Sequence, residues 1–378
     1  MDYIVRLPAL ELKDRICELE LIDIPLLLDH EVFETIRHLF PVLTRLQLWP
    51  SYETGRVFPS RFLGGSAPRL QTLILHSIPF PDFPTLLLSA TSLVHLHLWN
   101  IPSCYISPKA IVTGLSALTR LEELTIEFGC VGDQRTVPPP PPSTRTLLPV
   151  LTKLRLKWTN EYLENFVARI DAPLLDNLEI TFFCQLELDA AHWQLTQFIS
   201  RTSQFKTHEE ARLVFSDEDI SVTLPQTSDG APNLKLTILG QWPYCRLFSL
   251  TQVCSSSFPQ ALIPAVERLY ILEDGVWDVD GNWRFYNDNS DWLELLHPFT
   301  AVKVLYVSSE FTPCISFALQ ELVGEGVTEV LPALQTLFMA IPLPSGPLQE
   351  IIGQFVAARQ IAGHPVSISP WEGRVGDR

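Results

Sequence analysis

Residues 93–99 read LVHLHLW, in which leucines at 93, 96 and 98 enclose two histidines. Successive side chains of a β-strand point to opposite faces, so this spacing puts the last two leucines on one face and His95, His97 and Trp99 on the other. The stretch therefore predicts a short strand with one apolar and one polar face. Two histidines on the polar face also raise the question of a metal site.

The L-x-x-L-x-L spacing recurs along the chain. Further copies begin at Leu43, Leu70, Leu121, Leu151, Leu175, Val266, Val302 and Leu334. Degenerate copies lie at residues 16–21, 211–215 and 234–238. The central positions of all copies are on average about 29 residues apart, at the long end of the range for leucine-rich repeats. The spacing predicts about 11–12 irregular repeats.

Stretches of helical length lie between the copies. Ser107 and Pro108 open residues 107–118 as an N-cap and a first-turn proline. Similar amphipathic stretches cover 29–40, 159–170, 189–201, 243–254, 291–299 and 346–360. One strand–turn–helix unit cannot bury its own apolar face, so neighbouring units must stack. We therefore predict an α/β leucine-rich-repeat solenoid, or horseshoe, with a parallel concave sheet and outer helices.

A Rossmann fold and an α/β barrel also alternate strands with helices. The chain contains no G-x-G-x-x-G loop, and its strands carry polar residues at alternate positions instead of the continuous apolar runs of buried parallel strands. The solenoid is favoured for this reason. We expect one solenoid over residues 1–365, a proline-rich loop insertion at 133–146, an acidic tryptophan-rich loop at 273–291, and a tail at 366–378.

Composition narrows the class of partner. Hydrophobic residues make up 46% and charged residues 19% of the 378, as in folded globular proteins. The net charge of −16 would repel a phosphate backbone, so we expect no nucleic acid partner. The seven cysteines include no C-x-x-C pair, and no uncharged run reaches the roughly 18 residues of a membrane span. We expect a protein of the cytoplasm or nucleus without membrane contact.

Two stretches resemble a particular family. WLELLHPFTAVKVLYVSSEF (292–311) and ALQELVGEGVTEVLPALQTLFM (318–339), preceded by VERLYILEDG (266–275), resemble the last repeats of F-box leucine-rich-repeat-like proteins of mushroom-forming fungi. The resemblance implies a substrate receptor of a ubiquitin ligase, in which an F-box binds a Skp1-type adaptor. Here LPALELKDRICELEL (7–21) runs almost directly into the first predicted strand, so the F-box itself is missing from the pattern. A Skp1-type adaptor is expected only if an F-box is present elsewhere.

The polar face of the predicted strands is the candidate surface for a protein partner. Aromatic and arginine side chains dominate interface hot spots, and a stripe of basic residues would add charge selection. The candidate partner-binding residues are Arg45, Trp49, His95, His97, Trp99, Lys153, Arg155, Lys157, Arg268, Tyr270, Tyr306 and Phe338. For the stripe at 153–157, ion pairs with Glu123, Glu127 and Glu179 compete with the docking of an acidic peptide.

Other motifs keep a second class of function open. His95 and His97, with His76 and Glu127 nearby, could ligate zinc. The loop 273–292 lacks calcium-loop spacing, and RTVPPPPP (135–142) fits either an SH3 ligand or a spacer. No constellation assigns a nucleophile and a base. We predict a non-catalytic protein-binding module without metal or cofactor; the alternative is an enzyme or a metal or small-molecule binder using the His95/His97 strand or the 273–291 loop.

Overall fold

The computed structural model describes residues 14–24, 34, 36–50, 62–78, 83–101, 106–129, 144–183, 193–206, 208–225, 233–239, 243–259, 262–274, 289–324, 326–339 and 347–371. The chain divides into two compact units. The first consists of Met1–Leu178 and Arg201–Gln204, and the second of Glu179–Ser200 and Phe205–Arg378. The single solenoid over residues 1–365 stays a prediction.

The first unit alternates strands with helices. Its strands are β1 (Glu18–Ile24), β2 (Arg45–Pro50), β3 (Thr72–His76), β4 (His95–Ile101), β5 (Glu123–Phe128), β6 (Thr146–Leu147), β7 (Lys153–Trp158) and β8 (Ile170–Asp171). Its helices are α1 (Phe83–Ser89), α2 (Pro108–Leu115) and α3 (Asn160–Val167). Parallel strands lie in the order β1-β2-β3-β4-β5-β7, and β6 pairs with β8 in a small separate sheet.

The leucines of the repeat stand in register across these strands. The central leucines of successive copies are paired neighbours, in the order Leu19, Leu46, Leu73, Leu96, Leu124 and Leu154. All are buried, and the strand residues on either side of them are more accessible. Each buried leucine contributes roughly 1.5–3 kcal/mol, so the in-register rows form the core of this unit. The predicted spacing thus identifies both the core and the register.

Main-chain hydrogen bonds connect each repeat to the next. The carbonyl of Thr44 accepts from the N–H groups of Gln71 and Thr72, at 2.7 and 3.0 Å. The carbonyls of Gln71, Val94 and Glu122 each accept two N–H groups from the following repeat in the same way, as do those of Glu209, Glu267 and Lys303 in the second unit. This two-donor link occurs just before β3, β4, β5, β7, β13, β14 and β15. Main-chain donors thus set the start of these strands, and the Thr152 hydroxyl adds a third donor to the Glu122 carbonyl at 3.2 Å.

The second unit continues the pattern. Its strands are β9 (Asn177–Phe183, which begins in the first unit), β10 (Glu210–Phe215), β11 (Asp219–Leu224), β12 (Asn233–Leu239), β13 (Arg268–Glu273), β14 (Val304–Val307), β15 (Thr336–Met339) and β16 (Ser367–Pro370). Its helices are α4 (Trp193–Arg201), α5 (Pro243–Ser256), α6 (Asn289–Leu296), α7 (Thr312–Glu321) and α8 (Pro347–Ile361). Ala211, Leu269, Leu305, Leu337 and Ile368 are in register across parallel strands.

Strand β11 departs from the predicted parallel arrangement. The copies at 211–215 and 234–238 were expected as successive parallel repeats, but β11 lies between β10 and β12 and is antiparallel to both. The chain turns back at Ser216, whose N–H and hydroxyl donate to the carbonyl of Asp219. The sequence of β11, DISVTL, contains no leucine triplet, so the repeat pattern had no means of detecting it.

Strand–helix alternation and leucine register confirm the α/β leucine-rich-repeat fold. The predicted cap of α2 is also confirmed, because the Ser107 hydroxyl accepts from the N–H of Ala110 at 3.2 Å. Strand β16 lies within 366–378, where a tail without repeat structure was expected. Its Ile368 takes the register position that leucine holds in the preceding strand.

An aromatic cluster fills the end of the first unit's core. Trp158 is 1% exposed and packs against Phe128, Tyr162 and Phe166, with ring centroids 4.7–5.3 Å apart. Its indole N–H makes no hydrogen bond with any described residue. The packing of Trp158 therefore rests on apolar contact.

A buried arginine secures the last helix. Arg359 of α8 has 0% exposure. Its guanidinium donates to the carbonyls of Val327, Pro332 and Leu334 at 3.0–3.2 Å. Burial lowers the pKa of this guanidinium. The three hydrogen bonds join α8 to the turn that precedes β15.

Candidate functional site

The accessible side of the strands carries the candidate residues. We use "strand face" for the side chains that alternate with the buried leucines, and we describe it separately in each unit. In strand β3, Leu73 and Leu75 are buried, whereas the residues that alternate with them, Thr72, Ile74 and His76, are partly exposed. The same alternation holds along β2, β7 and β9, whereas Thr125 on the strand face of β5 is buried.

Trp49 and His76 form a stacked pair on the first unit's strand face. Their ring centroids are 4.4 Å apart and their planes differ by 8°. His76 is held from behind, since its Nδ1 lies 2.9 Å from the hydroxyl of Ser77, which accepts from the amide of Asn100 at 2.8 Å. Trp49 remains 42% exposed. The indole is thus fixed in place yet available to a partner.

Asn100 supplies part of what the repeat motif lacks. Leucine-rich repeats end their strand motif in asparagine, and the corresponding position 101 of this repeat is isoleucine. One position earlier, Asn100 adopts a left-handed backbone with φ +51° and bonds to the preceding repeat through Ser77. A side chain at Gly129 would collide with its amide oxygen at 2.6 Å. Because its backbone is left-handed, Asn100 can bond to the preceding repeat from one position before the motif's usual asparagine.

The two histidines of the opening stretch bond to neighbouring threonines. His97 Nδ1 lies 3.0 Å from the Thr125 hydroxyl, and His95 Nδ1 lies 3.5 Å from that of Thr72. His97 Nε2 is 3.9 Å from a carboxylate oxygen of Glu123. Burial lowers the pKa of His97 despite the opposing effect of Glu123. Among the described residues, no group of three or more His, Cys, Asp or Glu side chains is arranged to hold a metal ion.

The basic stripe at 153–157 forms cross-strand ion pairs. Lys153 Nζ lies 2.6 Å from Glu123, and Arg155 Nε lies 3.2 Å from Glu127. The guanidinium of Arg155 also lies 5.4 Å from the ring centroid of Trp99, a cation–π distance. The hydrogen bond from Lys153 lowers the pKa of Glu123. Both basic side chains are about half exposed, so they pair with their neighbours and still face solvent.

Replacing Glu123 with glutamine should lower the pKa of His97 further, because the carboxylate is the charge that favours the imidazolium. A folded-state pKa below the ordinary value means that His97 contributes stability above about pH 6.5, which is lost as the pH falls through its folded-state pKa. An NMR titration of the His97 ring protons measures the shift.

The matched control for that titration is Glu127→Gln, which removes a carboxylate paired with Arg155 instead. It should leave the His97 titration unchanged. Equal shifts in both variants would contradict a specific coupling between Glu123 and His97.

Three aromatic rings form a continuous stack on the second unit's strand face. Tyr270 and Tyr306 have centroids 4.3 Å apart and planes within 2°, and Tyr306 and Phe338 are 4.6 Å apart and within 9°. We call these three rings the aromatic ladder. They come from paired positions on β13, β14 and β15, so strand register alone brings them together. All three residues were predicted as face residues from the sequence, but their contact with one another was not.

Charged side chains border the Tyr270 end of the aromatic ladder. The guanidinium of Arg212 lies 5.8 Å from the Tyr270 ring centroid and donates to Glu210 at 2.7 Å. Arg268 lies 3.7 Å from the same Glu210. Burial, the charge of Glu210 and contact with Tyr306 raise the pKa of Tyr270 to about 12. Its phenol is therefore neutral at physiological pH and acts as a hydrogen-bonding group.

Trp371 completes this surface and was missed by sequence reasoning. It directly follows β16, within the stretch expected to be a tail. Its backbone N–H donates to the carbonyl of Met339 at 2.8 Å. Its indole lies 5.3 Å from Tyr306 and 6.3 Å from Tyr270, inclined by 65° and 63°. The tryptophan at 371 was visible in the sequence, but its position over the tyrosines depends on the unpredicted strand β16.

Catalytic chemistry finds little support in the described residues. Ser77 and His76 resemble a nucleophile and a base. However, residue Ser77 is only 6% exposed, and its hydroxyl already accepts a hydrogen bond from the Asn100 amide. Burial raises the pKa of the Cys254 thiol to about 12, so its nucleophilic thiolate is suppressed. The RTVPPPPP motif, most of the 133–146 and 273–291 insertions, and Trp277 and Trp283 lie outside the described residues.

No protein-family model matches the chain, and no curated protein matches it either. One matching solved structure is the leucine-rich repeat-containing protein LegL7 from Legionella pneumophila, with 12% identity, 94% of this chain and 92% of that chain covered, and a TM-score of 0.30. In the described part of the chain, no helix combines the length and apolarity needed to cross a bilayer.

Proposed function

We propose that the chain is a non-catalytic protein-binding module that uses the strand face of its repeats to hold a protein partner. The observation that carries this proposal is the display of partly exposed aromatic and basic side chains already held by their neighbours. Trp49 stacks on His76, and Arg155 is placed between Trp99 and Glu127. Side chains ordered before binding lose less entropy on association, which favours affinity.

The two strand faces offer different chemistry. On the first unit, Lys153, Arg155 and Lys157 line one strand and the guanidinium of Arg155 lies over Trp99, which suits a partner with acidic and apolar groups. On the second unit, the aromatic ladder dominates and charges lie at one end. The overall charge of −16 disfavours nucleic acid as the partner of either face.

The substrate-receptor role rests on the family resemblance of residues 266–339 and is a separate, finer proposal. In that role the strand face would hold the protein to be ubiquitinated, in the cytoplasm or nucleus. A Skp1-type adaptor would join the complex only through an F-box supplied elsewhere. The binding role does not depend on this proposal.

Affinity capture from the native host tests the binding role. The first variant changes Lys153, Arg155 and Lys157 to glutamine; a second changes Trp49 and Trp99 to alanine. We expect at least one of the two to reduce recovery of a specific partner about tenfold, equivalent to a loss of about 1.4 kcal/mol. Quantitative mass spectrometry of the captured proteins gives the readout.

The matched control changes Arg69, Lys109 and Arg120 to glutamine. These side chains are exposed, lie in the same unit away from the strand face, and remove the same charge. The control should retain the wild-type partners. If both strand-face variants retain them as well, the first unit's face is not the binding surface. Recovery of a Skp1-type adaptor would support the ligase proposal, and its absence would count against it.

A further inference from the structure

The arrangement of Trp371 over the aromatic ladder indicates what the ladder binds. The indole lies across the edges of Tyr270 and Tyr306 at 63–65°, which is the edge-to-face geometry that aromatic pairs prefer. The centroid distances of 5.3 and 6.3 Å fall in the favourable range of about 4.5–7 Å. The protein thus places one of its own aromatic side chains on the strand face.

The aromatic ladder presents three nearly parallel rings to an incoming aromatic side chain. Neighbouring rings of the ladder lie within 9° of parallel, and they stand at paired positions of adjacent strands. Opposite Phe338 the next strand carries Ser369, a small side chain, so the stack ends there. The cation–π contact of Arg212 holds the other end.

Trp371 is attached by a short and specific connection. The backbone N–H of Trp371 donates to the Met339 carbonyl, and strand β16 ends at Pro370, one residue before Trp371. A tethered group competes at an effective concentration of order millimolar or higher, without any new contact. Its indole nevertheless remains partly exposed. An incoming ring would have to displace Trp371 or share the ladder with it.

We propose that the aromatic ladder is a docking site for a polypeptide segment presenting an aromatic side chain, and that Trp371 occupies this site in the unbound protein. The proposal rests on the proposed protein-binding function and specifies the partner's chemistry. A segment carrying tryptophan, phenylalanine or tyrosine reproduces the edge-to-face contact that Trp371 makes. The phenols of Tyr270 and Tyr306 offer hydrogen-bonding groups to the segment's backbone.

The test uses the full chain and N-acetyl-tryptophanamide as a probe, with binding measured by saturation-transfer NMR. Removing the tethered occupant in Trp371→Ala should strengthen probe binding about tenfold or more relative to the wild type. Adding Tyr306→Leu to that variant should abolish the gain, because leucine keeps the site apolar but cannot offer an aromatic edge. Circular dichroism and one-dimensional NMR spectra establish that both variants remain folded.

Two controls make the result specific. Phe248→Ala removes an exposed aromatic side chain on α5 of the same unit and should leave probe binding at the wild-type level. A pentaproline peptide tests the other class of segment that aromatic surfaces bind. Equal probe binding by wild type and Trp371→Ala would overturn the proposal, and so would stronger binding of pentaproline than of the probe by Trp371→Ala.

Failure of this proposal is distinguishable from failure of the proposed function. Partner capture that depends on the first unit's strand face, without any effect of Trp371→Ala on the probe, would reject the ladder site alone. A probe response without any partner loss in the capture experiment would reject binding by the first unit's face and leave the ladder site supported.

Discussion

Replacing Arg359 with methionine should lower the free energy of unfolding of the second unit by about 3 kcal/mol or more. The guanidinium is fully buried and satisfies the carbonyls of Val327, Pro332 and Leu334. Methionine fills much of the space but donates no hydrogen bond, so three carbonyls lose their charged donor. Hydrogen–deuterium exchange under increasing urea, followed in peptides from 326–334 and α8, measures the loss.

The comparison variant for Arg359 is Lys303→Met. Lys303 belongs to the same unit and pairs with Glu267 at 2.6 Å, but both side chains are more than 40% exposed. A solvent-exposed ion pair contributes about 0–1 kcal/mol, so this variant should differ little from the wild type. Arg359→Lys should fall between the two, since one ammonium reaches fewer carbonyls. Similar losses for Arg359→Met and Lys303→Met would refute the assigned role of the buried guanidinium.

Replacing Trp158 with alanine should destabilise the first unit by about 3–5 kcal/mol. The indole is 1% exposed and is surrounded by the rings of Phe128, Tyr162 and Phe166. Alanine would leave a large cavity that three rigid rings cannot close. Urea denaturation with exchange measured in peptides from β7 and α3 should show early opening of this region.

Trp158→Phe separates packing from hydrogen bonding at the same position. The indole N–H has no partner among the described residues, so phenylalanine loses ring volume and no hydrogen bond. We expect a cost of about 1–2 kcal/mol, well below that of alanine. If phenylalanine is as harmful as alanine, then the indole N–H has a bonding role that the packing argument does not include.

Several features of the fold could be predicted because they depend on local periodicity. Alternation of side chains along a strand is fixed at two residues, so naming His95 and His97 as face residues required only Leu96 and Leu98. The leucine spacing likewise gave the pairing of Leu96 with Leu73 and Leu124. The ladder residues followed from the same rule.

Features that depend on tertiary context could not be read from the sequence. Charged residues are expected at the surface, so nothing in the pattern of α8 indicated that Arg359 is buried. Strand β11 lacks the leucine triplet, and Asn100 acts through a left-handed backbone that no motif specified. Trp371 required β16 to be recognised first. At these positions, tertiary contacts decide the structure, and the repeat pattern does not predict it.

The two-donor link between repeats has a consequence for the history of such a surface. Because main-chain groups set the start of these strands, this link between repeats does not depend on which side chains occupy the accessible side. Those side chains can therefore be exchanged by mutation at little cost to folding. A chain built in this way can acquire a new recognition specificity while its architecture stays the same.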